Sequence, residues 1–151
     1  MNKANIFFDN DQKYRNGYKN IDLSGKSTRP DIMSLSIEGF SAQFEDEEFD
    51  EIIVDNLLEY FDDKSQSIVF NAVHAKLFTG KSMYIRFTDI NEVARKLHME
   101  KIDEKDFSKI VFSGRKSISS LNSMKSMMEK KYAIQKISFE DIMCSIEGVR
   151  L

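Results

Sequence analysis

At 151 residues, with 41% apolar and 31% charged side chains, the chain fits a single domain spanning 1–151 with a core of its own and no length for a second. A formal net charge of −3 excludes a global pull toward nucleic acid or anionic membrane, so charge is informative only in its distribution. One cysteine excludes an internal disulfide and makes a reducing, cytoplasmic setting the expectation, while the short apolar run in "MNKANIFF" is no signal peptide and no window reaches the length of a membrane span.

In chain order, residues 4–8 (ANIFF) and 18–22 (YKNID) read as buried strands, short, apolar or β-branched and bounded by turn residues. Pro30 opens a short extended segment, "PDIMSLS". Residues 51–55 (EIIVD) form the next strand. The spacing of Ile68, Ala72, Ala75 and Phe78, with Val69, Val73 and Leu77 beside them, predicts a helix over 64–78 that Gly80 ends. A strand follows at once over 82–87 (SMYIRF), and a helix joined so closely to a strand is the connection of a parallel sheet. Asp89 can cap a helix in "DINEVARKLHM". Residues 107–113 read as a strand or extended loop, the Ser-rich stretch after them as a loop, and 120–131 as a helix. A last helix is predicted over 138–147, with Cys144 on its apolar face and Gly148 as its stop, and "VRL" looks like the first step of a further strand.

Residues 44–63 carry ten acids and no base, whereas 101–136 hold nine Lys or Arg against four acids. Solvated faces of opposite sign are the plainer reading, and contact surfaces the sharper one. His74 and His98 lie on predicted helices and read as ordinary residues, no spacing suggests a metal site, and the lysines are not interleaved with aromatics, so nucleic acid is not expected as a partner.

Taken together, "GYKNIDLS", "FEDEEFDEIIVDNLLEYF", a helix closed by Gly80 and the late "ISFEDIMCSIEGVRL" resemble, in order and spacing, the small class I S-adenosylmethionine-dependent methyltransferases. The resemblance spans nearly the whole chain. It implies an α/β, three-layer Rossmann-like sandwich with a mainly parallel sheet of about five strands, helices on both faces, and a crevice shared by the carboxyl ends of the first, second and fourth strands. The family closes its sheet with a final hairpin. Here the chain reaches Leu151 where that hairpin should begin, which implies a sheet shortened at its C-terminal edge and an open edge for a protein partner or a second copy.

The same resemblance places candidate cofactor residues. Asp22, at the end of the second strand, is set to accept the ribose hydroxyls of an adenosine, with a turn or helix cap as its alternative role. Asp9 and Asp11 stand where the family carries a G-x-G turn, whose missing Cβ atoms make room for the cofactor; two carboxylates there add bulk and like charge. Gly17 opens "GY.N.D", Asp46 or Glu45 lies in a loop that the resemblance brings near the adenine, and Asp55, with Asn56 and Glu59, follows the strand that lines the transfer site. Tyr60 replaces the histidine of the family's leucine-glutamate-histidine, and no catalytic residue can be named. Two functions stay open: a methyltransferase-like structural or interaction module whose cofactor site is degenerate, or an active S-adenosylmethionine-dependent enzyme acting on a small molecule or sugar.

Overall fold

Strand residues of even and odd register sort onto two faces of one sheet, and this sorting explains most of the architecture. The computed structural model describes residues 1–151. Its strands are β1 (Lys3–Phe7), β2 (Lys19–Asp22), β3 (Met33–Ser34), β4 (Phe49–Asp55), β5 (Leu77–Thr88), β6 (Tyr132–Glu140) and β7 (Met143–Arg150), in the order β3-β2-β1-β4-β5-β7-β6. Strands β1 to β5 pair in parallel, and β7 runs antiparallel to both β5 and β6. One cross-strand row reads Ile21, Ile6, Val54, Ile85, Ile146, and each member is 2% exposed or less. That row faces Phe40 of α1 (Ile37–Gln43), Val69, Phe70 and Val73 of α2 (Asp63–Lys76), and Met124 and Met128 of α5 (Leu121–Glu129) in one core cluster. Each such side chain contributes about 1.5–3 kcal/mol on burial.

The neighbouring rows on the other face are mostly polar. One reads Asn20, Asn5, Ile53, Tyr84, Glu147, and the next carries Asp22, Phe7, Asp55, Arg86, Ser145. The expectation of helices on both faces is corrected here, because the crossovers from β1 to β2 and from β2 to β3 carry no α-helix, only a turn of 3-10 helix at Asp11–Lys13. Over β5 and β7 this face meets solvent and needs polar side chains at every second position, which Ser82, Tyr84, Arg86, Ser145 and Glu147 supply, half-buried; over β1 and β2 it is covered, and Asn5, Phe7, Asn20 and Asp22 are buried. The remaining helices, α3 (Ile90–His98) and α4 (Glu104–Phe112), gather at the carboxyl end of the sheet: Asp89 N–H bonds Ile142 O at 2.8 Å, and Lys96 pairs with Asp141 in the β6–β7 turn.

The sheet is not shortened. The segment predicted as a final helix is the β6–β7 hairpin, turned at Asp141 with φ +56° and zipped to β5 from Ser82↔Val149 to Thr88↔Met143. Its apolar residues satisfy both periods, with Cys144, Ile146 and Gly148 buried at every second position, and the free edge of β5 selects the strand. The reason for an open edge at β5 therefore falls, and the sheet's edges are β3 and β6. Cys144 lies on β7 and is fully buried, which pushes its thiol up to about 11. Three smaller expectations change as well. Residues 104–112 are helical, capped by Asp103, which accepts from Asp106 N at 2.7 Å. The helix over 64–78 yields to β5 at Leu77, and Gly80, at φ +79°, serves a bulge there. Finally α1, capped by Ser36 through Gly39 N at 3.0 Å, has no counterpart in the sequence reading, since only Phe40 of its seven residues is buried.

The acidic stretch is no free acidic face. At the amino end of the sheet Asp46 pairs with Lys76 (2.9 Å), Glu48 with Lys19 (3.1 Å), Asp50 with Lys81 (3.4 Å) and Glu51 with Lys3 (3.3 Å).

Beneath α2, His74 Nδ1 meets Tyr132 Oη at 2.8 Å, and burial, with Arg150 and Lys131 nearby, pulls the imidazole down to about 4. The unfolded imidazole takes its proton near pH 6.5, so this contribution is complete above pH 6.5 and is lost as pH falls toward 4. Because the side chain is half-buried and partly screened, the loss is about 1–2 kcal/mol. Urea titrations from pH 7.5 to 4.5 should show that slope in the native chain and a flatter profile in His74→Gln; equal slopes would remove His74 as its source.

Candidate functional site

Four of the six candidate cofactor residues gather at the carboxyl ends of β1, β2 and β4. Asp9, just past β1, keeps a left-handed backbone at φ +48°, a conformation that glycine adopts freely and aspartate at a cost. Its N–H points at Asp22 and donates to Oδ1 at 2.8 Å. Asp22 itself is fully buried. Its Oδ1 also accepts from Ser24 N at 2.9 Å, and its Oδ2 accepts from Ser24 Oγ at 2.7 Å and Ser27 N at 3.0 Å. A carboxylate offers about four lone-pair positions, so the chain's own donors fill all of them. Burial opposes the charge, yet these donors outweigh it and hold the carboxyl below its ordinary value. The turn-cap role and the ribose role compete for one set of lone pairs, and here the cap has them.

The loop after β2 closes over the same place. Ser27 Oγ donates to Asp11 Oδ1 at 2.8 Å, Lys26 approaches Asp9 at 3.5 Å, and the Arg29 guanidinium lies 4.9 Å above the Tyr14 ring. Below it the β1–β2 loop is tied down by a buried amide pair: Asn5 Nδ2 donates to Asn20 Oδ1 (2.9 Å) and Lys13 O (2.8 Å), and Asn20 bonds both the N–H and the carbonyl of Arg15. Two asparagines thus do locally what a crossover helix would do with its packed face. Gly17, at φ +80° with no atom within 4 Å of where a Cβ would be, is a turn residue leading into β2 and not a wall of a pocket.

Asp55, at the end of β4, is 1% exposed and holds three cations: Lys13 Nζ at 3.0 Å, Arg15 Nη2 at 3.0 Å and Arg86 Nη1 at 2.9 Å. Burial pushes its carboxyl up, and the three cations more than reverse this and hold it below its usual range. Lys13, Arg15 and Arg86 were not singled out from sequence. A cation inside the apolar strand "SMYIRF" was the available signal, because a buried strand tolerates charge only opposite a partner.

Asp46 is not part of this constellation. It precedes β4, lies at the amino end of the sheet against Lys76, and corrects the expectation that its loop shares the crevice. Glu59 is structural: Oε1 accepts from Thr88 N at 3.1 Å, its carbonyl holds Lys116 N (2.8 Å) and Ser117 N (3.2 Å), and burial raises its carboxyl. Tyr60 stacks on Phe8 with ring centroids 4.8 Å apart. Five hollows on the molecule have no lining residue among Asp9, Asp11, Asp22 and Asp55.

No protein-family model and no curated protein matches the chain in sequence. Solved structures do match its shape. A S-adenosylmethionine-dependent methyltransferase of Archaeoglobus fulgidus superposes with a TM-score of 0.66 at 8% identity, over 99% of this chain and 86% of the other. A protein of Pyrococcus horikoshii gives 0.63 at 15% identity, covering 89% and 73%, and a S-adenosylmethionine-dependent methyltransferase of Thermotoga maritima gives 0.61 at 14%, covering 87% and 72%. The fold is that of the class I S-adenosylmethionine-dependent methyltransferases, an α/β Rossmann-like sheet completed by its terminal hairpin.

Proposed function

We propose that the chain is a non-catalytic module built on the methyltransferase fold, a structural or interaction protein whose own residues fill the cofactor crevice. One observation carries this reading: every acceptor position of Asp22 is taken by Asp9, Ser24 and Ser27, so a ribose could bond there only by displacing internal donors. Asp9 and Asp11 add Cβ atoms and charge where the methionine portion would need an open turn, and the loops on both sides are knit together over that turn. S-adenosylmethionine does not fit these residues as they are bonded to one another.

Calorimetric titration with S-adenosylmethionine and S-adenosylhomocysteine tests the reading. No binding at millimolar ligand is expected. Micromolar binding, about −8 kcal/mol, would overturn it and restore an active enzyme acting on a small molecule or sugar.

A further inference from the structure

We infer that the cluster of Lys13, Arg15 and Arg86 around Asp55 is a binding site for a phosphate group, free or carried by a small molecule, set on the sheet face that lacks a crossover helix. The inference rests on the reading above only in that no adenosine cofactor competes for this end of the sheet.

The charge count comes first. Three cations meet one carboxylate, which leaves a surplus of two positive charges. Other acids around the cluster are engaged or buried: Glu51 meets Lys3 and Tyr18, Glu147 meets Tyr84, Asp22 is filled by its own donors, and Glu59, whose charge acts on Lys13, is buried with its carboxyl raised. One lysine would suffice to neutralise Asp55, so the two guanidinium groups carry charge that a second anion can use. A phosphomonoester dianion carries the matching charge of about −2 near neutral pH, and the planar donor forks of Arg15 and Arg86 suit its oxygens.

Geometry agrees. The side chains of Lys13, Arg15 and Arg86 are 22%, 34% and 27% exposed, so the cluster is open to solvent while Asp55 beneath it is not. Arg15 Nε is buried without any acceptor, an orphaned donor beside the cluster. The cations come from the β1–β2 loop and β5, and Asp55 ends β4, so the cluster straddles the point where the sheet order turns from β1 to β4, the place where open α/β sheets hold their ligands.

The test is calorimetric titration of the whole chain at pH 7.5 and fixed ionic strength with inorganic phosphate, phenyl phosphate and acetate. Saturable binding of both phosphates is expected, with acetate at least tenfold weaker. Binding of inorganic phosphate alone would identify free phosphate as the ligand and leave the site standing. Lys13→Met, which leaves Asp55 two cations, should weaken phosphate at least fivefold, and Asp55→Asn, which raises the surplus to three, should strengthen it. Should Asp55→Asn not fold, Lys13→Met decides. No saturable binding by 10-mM-order phosphate, equal binding of acetate, or affinity unchanged in Lys13→Met would overturn the site and leave the cluster a clamp on Asp55. S-adenosylhomocysteine added to the same cell separates the two readings, since its binding would defeat the non-catalytic reading without touching the phosphate result.

Discussion

Asp22→Ala is expected to lower folding stability by about 3–5 kcal/mol at neutral pH, because it strands donors that have no other acceptor. The backbone N–H groups of Asp9, Ser24 and Ser27 and the hydroxyl of Ser24 all converge on this one buried carboxylate. For a domain of this size the loss corresponds to a fall in melting temperature on the order of 10 °C. Asp22→Asn should recover little, since it offers one acceptor oxygen and aims an NH2 at donors. The pH dependence has a definite sign. The folded carboxyl lies below its ordinary value near 3.8, so its contribution is complete above that pH and disappears as pH falls through the lower, folded value. Differential scanning calorimetry at pH 7 and pH 3 checks both claims. A variant melting within about 2 °C of the native chain at pH 7 would show that the carboxylate holds nothing together and is free for a ribose.

Gly148→Ala is expected to cost about 2–4 kcal/mol through overpacking alone. This glycine lies in β7 with an ordinary strand backbone, so no conformational need explains it. A Cβ there would come within 2.9 Å of both Met128 Cε and Tyr132 Cβ. The methionine end can swing away, but the tyrosine Cβ belongs to the neighbouring strand β6, and moving it would pull the β6–β7 ladder apart at the Ile134↔Gly148 pair. Urea unfolding of Gly148→Ala, alone and with Met128→Ala, separates the two contacts. Met128→Ala has a cavity cost of its own, so the quantity compared is the added cost of Gly148→Ala, which should be smaller but not zero in the Met128→Ala background; full stability of the single variant would show that α5 and β6 are packed less tightly there.

Much of the fold was legible because it follows from local pattern. Ile6, Ile21, Val54 and Ile85 are apolar residues in short runs bounded by turns, and they share one buried row. Asp22 and Asp55 were placed correctly at strand ends, since a carboxylate that stops an apolar run marks where the strand leaves the core. The hairpin was not legible. "ISFEDIMCSIEG" fits a helix stripe and a strand alternation equally, and the sequence near it contains nothing that says a free β5 edge is waiting. Asp46 was misplaced for a related reason: an acidic loop before a strand says that it borders the sheet, not which end of it.

The sequence by itself determined the order of strands and helices through most of the chain, the aspartates at positions 9 and 11 just past the first strand, and the resemblance that names the fold, all of them properties of neighbouring residues. Only the tertiary structure decided what Asp22 and Asp55 do. Whether a carboxylate is open to a ligand depends on which donors reach it, and those donors come from Asp9, from Ser27 and from Lys13, Arg15 and Arg86, up to 42 positions away along the chain. Such distances close only when the sheet forms, because the order of its strands, and not their spacing in the chain, sets which loops meet.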